Sequence, residues 1–143
     1  MLIGLYPSIL EDDNRLTLPK EFLEDYKEGF CIARGFDQNV MVLTMDAFDA
    51  IYERAITLNL ADPVVRLLLR MIFSSAQLAE VDENGMISIS EKLRQYANLE
   101  RDITIIGQGD YVELWSPDNW KLQEERLMNL EPDQFSTLHI STQ

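Results

Sequence analysis

The sequence predicts a mixed, β-rich fold with short helices, built from two copies of one unit related by an approximate two-fold axis. Residues 10–19 (LEDDNRLTLP) align with residues 81–90 (VDENGMISIS), and residues 31–48 align with residues 103–120. The two matches occur in the same order and at nearly the same separation, which indicates a duplicated unit rather than chance similarity. A unit of roughly 45 residues is too small to bury one face of a sheet alone, so we expect the two copies to pack together.

Each copy begins with a predicted β-hairpin. The strands are predicted at 2–10 and 15–18 in the first copy, and at 75–82 and 86–89 in the second. The connecting turns contain Asp-Asn in the first copy and Asn-Gly in the second. These residues tolerate the left-handed backbone of a tight hairpin, and for the second turn they predict type I′. The approximate two-fold axis should place the two turns on related edges of the molecule.

A short helix and a second pair of strands follow each hairpin. Pro19 opens the helix of the first copy and Ser90 opens that of the second, since proline suits the first helical turn and serine caps its free amides. The strand pairs, each joined by a glycine-containing loop, are predicted at 30–35 with 39–44 and at 102–107 with 111–115.

A closing helix is predicted after each strand pair. Thr44 and Ser116 are the expected N-caps, and Asp46 and Asp118 lie in the first turns, where a carboxylate interacts favourably with the helix dipole. In the aligned copies Trp115 and Trp120 match Leu43 and Phe48. That match favours a core role for both tryptophans over stacking on nucleic-acid bases.

The helix predicted at 62–73 between the two copies is apolar on nearly every side. Such a helix has to be covered on most of its surface. Two interpretations stay open: a core helix beneath both units, or a helix that also packs against another subunit. The residues to which both interpretations apply are Leu67, Leu68, Met71 and Ile72.

The predicted elements divide the chain into four segments. They are a first unit (5–47), a helical connector (48–75), a second unit (76–119) and a C-terminal helix with a polar tail (120–143). The tail, 131–143, is expected to be mobile because it is polar and terminal.

Composition excludes several classes of function. The chain has 143 residues, 25 acidic and 12 basic, with a net charge of −13, which opposes unaided binding to nucleic acid or an anionic membrane. The single cysteine, Cys31, excludes an internal disulfide and lies in an apolar run typical of a buried strand. The single histidine, His139, leaves little room for histidine-based catalysis or metal binding. No signal peptide or membrane-spanning stretch is recognisable, so a soluble cytoplasmic protein is expected.

The order of several sequence stretches resembles the MraZ family of bacterial transcriptional regulators. In that family the first turn has the pattern Asp, any residue, Lys, Gly, Arg, followed by an apolar strand that ends in Pro. Here the corresponding stretch is Glu11, Asp12, Asp13, Asn14, Arg15, then LTLP. The stretches DPVVRLLLRMIFSSAQLAEVDENG and LRQYANLERDITIIGQGDYVELW also resemble the family, and the resemblance extends from the first residues to about residue 130.

The resemblance implies two AbrB-like swapped-hairpin units of the double-split β-barrel type, in a cytoplasmic, nucleoid-associated regulator of the cell-division and cell-wall gene cluster. Such proteins bind direct repeats in a promoter and assemble as homo-oligomeric rings. The resemblance implies no cofactor, metal or enzymatic activity. The acidic residues at 11–13 occupy an exposed turn with no nucleophile beside them, so hydrolytic chemistry is not expected. Residues 82–85 lack the spacing of an EF-hand calcium loop.

Candidate DNA-contacting residues lie in and near the first turn. Arg15 matches the family arginine, and an arginine at a hairpin can donate two hydrogen bonds to guanine or phosphate. Asn14 occupies the same turn, and Lys20 and Arg34 are nearby bases that can contact phosphate, as are Lys92, Arg94 and Arg101. The alternative for these other bases is a solvated surface charge, and for Arg15 an ion pair with Glu11, Asp12 or Asp13.

The turns also depart from the family pattern. The family lysine and glycine of the first turn are Asp13 and Asn14 here, and the arginine of the second turn is Met86. Glu11 and Asp82 occupy the family aspartate position and are expected to order the turns through side-chain to backbone hydrogen bonds. Gly85 is expected to order the second turn through its left-handed backbone. The acidic turns also suggest an alternative function. The chain would then be a divergent oligomerising protein that has lost DNA binding and co-assembles with another family member through protein contacts.

Overall fold

The computed structural model describes residues 1–138, and within them the predicted strands all form, some of them shortened. They are β1 (Leu5–Ile9), β2 (Arg15–Thr17), β3 (Phe30–Arg34), β4 (Val40–Thr44), β5 (Gln77–Ala79), β6 (Met86–Ser88), β7 (Asp102–Gly107) and β8 (Tyr111–Trp115). The strand predicted at 2–10 starts only at Leu5, because Gly4 adopts φ +99°. The strand predicted at 75–82 is reduced to three residues because the preceding helix continues to Ser75.

The helices alternate with the strand pairs. They are α1 (Leu23–Tyr26), α2 (Met45–Ala55), α3 (Pro63–Ser75), α4 (Glu91–Tyr96) and α5 (Pro117–Met128), with 3-10 turns at Lys20–Phe22 and Pro132–Leu138. The predicted N-caps are confirmed: the hydroxyl of Thr44 accepts from Ala47 N at 3.1 Å, and that of Ser116 accepts from Asn119 N at 3.1 Å. Ser90 caps α4 in the same way.

Strands of both copies are interleaved in one antiparallel sheet. Six strands follow the order β1-β7-β8-β4-β3-β5, and β2 pairs with β6 in a separate ribbon. The first strand of each copy therefore pairs with the third strand of the other copy: β1 with β7, and β5 with β3. The pairs β4–β8 and β2–β6 join equivalent strands. This exchange relates the copies by an approximate two-fold axis and confirms the predicted duplicated, β-rich fold.

The main core lies between the inner face of the six-stranded sheet and the β2–β6 ribbon with α1 and α4. Buried Tyr26 of α1 donates its hydroxyl proton to the carbonyl of Val42 at 2.6 Å. A second cluster on the outer face of β3 and β4 is covered by α2 and contains Cys31. Cys31 is a buried strand thiol as predicted, and burial raises its pKa to about 11.

Helix α3 is partly in the core and partly exposed. Ile72 is 3% exposed, and Phe73 makes edge contacts with Phe48 and Tyr52 of α2. Leu68 and Met71 are half-buried, whereas Leu67 is 63% exposed. One side of α3 therefore enters the core, as the first interpretation predicted. The other side is exposed, and its packing against another subunit stays a prediction.

The C-terminal region contains α5 and an exposed 3-10 turn, Pro132–Leu138. Trp115 is buried and meets Trp120 edge-on at 5.6 Å, in keeping with their predicted core role. The tail was predicted to be mobile as far as residue 143, but His139 and the residues after it lie outside the described residues. Among residues 1–138, no helix is both long and apolar enough to cross a membrane.

Candidate functional site

The two hairpin turns, residues 11–15 and 82–86, have the same backbone geometry; together we call them the turn face. In the first, Asn14 N donates to Glu11 O at 2.9 Å and Glu11 N donates to Arg15 O at 2.8 Å. In the second, Gly85 N donates to Asp82 O at 3.1 Å and Asp82 N donates to Met86 O at 2.9 Å.

Only the fourth residue of each turn has a left-handed backbone, with φ 63° at Asn14 and 76° at Gly85. Type I′ requires positive φ at two successive residues, so that prediction for the second turn was wrong. The observed geometry is a type I turn followed by a left-handed bulge residue, which explains why asparagine and glycine occupy this position.

Each turn is hydrogen-bonded to the opposite copy. Leu18 N donates to the carbonyl of Gly85 at 3.2 Å, and Ile89 N donates to the carbonyl of Asn14 at 2.8 Å. These bonds continue the β2–β6 pairing, in which Arg15 lies opposite Ser88. The ribbon thereby holds residues of the first turn against residues of the second.

Arg15 contacts carboxylates from both turns. Its Nε lies 2.8 Å from Asp13 Oδ2, and its Nη1 lies 3.1 Å from Asp82 Oδ2, while the arginine side chain remains 40% exposed. The Arg15 guanidinium is the largest cause of a lowered pKa at Asp13. At Asp82 the backbone amide of Met86 is the largest cause of the lowered pKa, and Arg15 adds to it.

The two residues in the family aspartate position behave differently. Asp82 orders its turn, because Oδ1 accepts from Asn84 N at 2.8 Å and from Met86 N at 3.0 Å. Within residues 1–138 the carboxylate of Glu11 accepts no such backbone bond, contrary to expectation. Asp13 supplies the one equivalent contact in the first turn, accepting from Arg15 N at 3.3 Å. The longer side chain of glutamate extends past the amides that an aspartate reaches.

The side chain of Asn14 points to the second copy. Its Nδ2 donates to Glu91 Oε2 at 3.0 Å, which is the largest cause of the lowered pKa of Glu91. A surface depression of about 420 Å³ lies beside this contact, and its lining includes Arg94 and Arg101. Both arginines belong to the second copy in sequence, yet the swapped arrangement puts them next to the first turn.

Two further candidate bases, Lys20 and Arg34, lie apart from this cluster, and Lys92 is exposed on α4. Lys20 is exposed in the 3-10 turn after β2. The guanidinium of Arg34 lies over the Tyr96 ring, 4.9 Å from the ring centre, so it is engaged in a cation–π contact at the end of β3. The structure places neither of them in contact with Arg15.

Sequence reasoning missed one partner of Arg15. Glu11, Asp12 and Asp13 were considered as neutralising carboxylates because they are close in sequence. Asp82 is 67 residues away, and only the pairing of β2 with β6 brings it to Arg15. The repeat offered a signal for this contact. If the equivalent strands β2 and β6 pair, the two acidic turns next to them come close together.

Comparison with known proteins identifies the fold. A family model described as "MraZ protein, putative antitoxin-like" matches the chain twice, at residues 1–71 and 72–137. The chain belongs to the MraZ family. The two matches correspond to the two copies, so the family's repeated unit is the unit whose strands are exchanged here.

Two relatives named "Transcriptional regulator MraZ" match most of this MraZ-family chain. The protein from Thermomicrobium roseum is 35% identical over 127 residues, which cover 89% of each chain. The protein from Caldicellulosiruptor saccharolyticus is 36% identical over 121 residues, which cover 85% of each chain. In both cases the similarity therefore covers most of the chain.

Proposed function

We propose that this protein is a MraZ-type transcriptional regulator that binds promoter DNA through its turn face as a homo-oligomer. The proposal depends chiefly on one observation: Arg15 is held in a defined orientation at an exposed turn, by contacts to Nε and Nη1. Within residues 1–138, its Nη2 has no hydrogen-bond partner. A guanidinium held in this way is suited to donate to a phosphate oxygen or a guanine edge.

Further cations around the first turn support this assignment. Arg94 and Arg101 line the depression beside Asn14, together with four carboxylates, and Arg94 Nη1 lies 3.1 Å from Glu91 Oε1. We assign them, with Lys20, to phosphate contacts that position the protein without selecting sequence. Asn14 acts in the turn itself, through its left-handed backbone and its bond to Glu91, rather than on a base. Arg34 is given no DNA contact, because Tyr96 already covers its guanidinium.

Five carboxylates in the two turns oppose DNA binding by a single chain. Residues 11–15 and 82–86 contain Glu11, Asp12, Asp13, Asp82 and Glu83, with Arg15 as the sole base. A low affinity per turn face is therefore expected. Several turn faces on one assembly compensate for this when the DNA offers repeated sites, because each later contact forms at high effective concentration.

Two exposed apolar strips support self-assembly. One lies on α3, where Val64 and Leu67 are 70% and 63% exposed. The other follows the N-terminal segment and β1, where Ile3 and Leu5 are 59% and 54% exposed. Because α3 packs on β3, next to the β5 edge, and β1 forms the opposite edge, contact between unlike strips of two copies generates a head-to-tail assembly. Such an assembly closes into a ring when its rotation permits.

The proposed role in transcription regulation is based on the names of the two relatives. We assign to this chain the direct repeats of the promoter of the cell-division and cell-wall gene cluster, with a cytoplasmic, nucleoid-associated location. We assign no catalytic role, in keeping with relatives that are named as transcriptional regulators.

Fluorescence anisotropy with a labelled promoter fragment tests the proposal. The wild-type protein is titrated onto tandem repeats at about 50 mM salt, with a scrambled fragment and a single repeat as controls. Tighter binding to the tandem fragment, weakened by Arg15→Ala but not by Arg54→Ala on α2, is the expected result. Equal binding to the scrambled fragment, or binding that Arg15→Ala leaves unchanged, contradicts the proposal.

The contacts of Arg15 also favour a second candidate function. Because both carboxylates pair with the only base in the turns, the chain can act as an oligomerising family member without DNA affinity, which co-assembles with another MraZ protein. Mixing it with a basic homologue and measuring subunit exchange by native mass spectrometry tests this candidate. Homo-oligomers that do not mix, together with DNA binding by the chain alone, exclude it.

A further inference from the structure

The contact between Arg15 and Asp82 links the two turns directly. Arg15 starts β2 of the first copy, while Asp82 begins the second turn, so the ion pair crosses the approximate two-fold axis. Asp13 holds the same guanidinium from within the first turn. Together these two carboxylates occupy the Nε and Nη1 positions, and we call them the Arg15 carboxylate pair.

We propose that the Arg15 carboxylate pair is a built-in competitor for DNA, whose oxygens occupy the positions on Arg15 that phosphate oxygens would otherwise take. The inference depends on the proposed function, since it concerns regulation of the same site. Binding DNA then requires exchange of at least one carboxylate for a phosphate oxygen. The chain is thus set to a low affinity that only a multivalent contact overcomes.

Geometry favours competition over simple support of the arginine. Carboxylate and phosphate oxygens accept from the same guanidinium nitrogens at similar distances. A phosphate that approaches the Nε side of Arg15 meets Asp13 Oδ2, already 2.8 Å from Nε, and like charges repel at that range. One N–H of Nη1 and both of Nη2 are left for the ligand, whereas the paired contact that uses Nε requires the release of Asp13.

The neighbouring residue Asp12 provides a matched control. Asp12 has the same charge, is exposed, lies in the same turn, and makes no ion pair with Arg15. The effect of Asp12→Asn on DNA affinity therefore measures only the general charge repulsion between the turn and DNA. Asp13→Asn removes the same charge and also replaces the charge-assisted bond to Nε of Arg15 with a weaker, neutral one. The difference between the two variants therefore isolates the competition.

A double-mutant cycle with DNA affinity as the readout tests the inference. Asp12→Asn and Asp13→Asn are each made in the wild type and in Arg15→Gln, and binding to tandem-repeat DNA is measured at two salt concentrations. With Arg15 present, Asp13→Asn is expected to raise affinity about threefold more than Asp12→Asn, since an exposed ion pair has a modest strength. In Arg15→Gln the two variants are expected to be equal. Circular dichroism confirms that all variants fold.

The outcomes separate the inference from the function on which it depends. If the wild type binds DNA and the two asparagine variants are equivalent in both backgrounds, the competition is overturned and DNA binding stands. If Asp13→Asn weakens binding, the carboxylate supports Arg15 and the inference is also overturned. If no variant binds DNA, the proposed function fails and the inference fails with it.

Discussion

Arg15 and Met86 occupy equivalent positions in the two copies, and only Arg15 contacts a carboxylate of the opposite turn. The repeat that aligns residues 10–19 with 81–90 also makes Glu11 equivalent to Asp82. The symmetry-related counterpart of the Arg15–Asp82 ion pair would therefore join Met86 and Glu11. No ion pair can form there, because methionine is uncharged. The fold is symmetric, but its charge arrangement is not.

Restoring the missing base is expected to increase DNA affinity. In Met86→Arg the new guanidinium would lie at the position related to Arg15 by the two-fold axis and would face Glu11. One more phosphate contact makes the slope of log affinity against log salt more negative by roughly 0.9, and it strengthens binding about fivefold to tenfold at low salt. Anisotropy titrations over a salt series measure both quantities.

The control for this prediction is Met86→Gln, which changes the side chain to a polar one of similar length without adding charge. If Met86→Arg has the same DNA affinity and the same salt slope as Met86→Gln, the prediction is contradicted. The same titrations on scrambled DNA show whether the added charge acts only through non-specific attraction.

The local features of the fold could be predicted from sequence because they depend on residues close together in the chain. Ser90 and Ser116 each cap a helix that starts at the next residue. The left-handed positions at Asn14 and Gly85 follow equally from residue type. Even here, the turn class depended on Asp82, whose side chain bonds to Asn84 and Met86 and stabilises a type I turn.

The candidate site was predictable only in part, since its geometry depends on strands that are far apart in sequence. The matched position of Arg15 identified it without structural information. Its contact with Asp82, and the position of Arg101 beside the first turn, follow from the exchange of strands between copies. Arg34 was a candidate because it is basic, yet its strand end places it over Tyr96.

Arg15→Gln is expected to raise the pKa of Asp13 more than that of Asp82. The pKa of Asp13 is lowered from 3.8 mainly by Arg15, whereas that of Asp82 is lowered mainly by the Met86 amide, which the variant keeps. A carboxyl with a lowered pKa in the folded state stabilises the fold above its unfolded pKa, and the contribution disappears as pH falls through the folded pKa. The wild type should therefore lose stability below about pH 4, and Arg15→Gln should lose less.

Carbon-detected NMR titration of the aspartate side chains between pH 2 and pH 7 measures these shifts directly. Asp12 serves as the reference within the same turn, because it makes no ion pair with Arg15. If Arg15→Gln changes the pKa of Asp13 and the pKa of Asp82 by the same amount, the prediction is wrong.

Leu67→Glu is expected to reduce the size of the assembly. Leu67 is 63% exposed on the outer side of α3, so a charge there costs little in the monomer but has to be buried in an interface that covers this strip. Light scattering coupled to size exclusion measures the mass. Gln95→Glu on the exposed side of α4 adds the same charge elsewhere and should leave the mass unchanged. An unchanged mass for Leu67→Glu would place the interface on another surface.

Gly107→Ala is expected to destabilise the fold without changing the turn face. A Cβ at this position would lie 2.5 Å from the carbonyl oxygen of Leu2 and 2.5 Å from Ile3 Cα, both backbone atoms that cannot rotate away. Leu2 is 1% exposed in the core, and Gly107 N donates to Gly4 O at 2.8 Å, so the N-terminal segment has little freedom to shift. A loss of about 2 kcal/mol in the free energy of unfolding is expected, as for overpacking in a close-packed region.

Urea denaturation followed by tryptophan fluorescence measures that loss, and limited proteolysis reports whether the N-terminal segment detaches. Thr104→Ala, on the same strand, is a suitable control because its half-buried side chain is shortened without a steric conflict. If Gly107→Ala matches this control in stability, then the N-terminal segment moves away from β7 at little cost. The exposed strip that includes Ile3 would then be flexible, which weakens the case for its role in assembly and makes α3 the better target for interface variants.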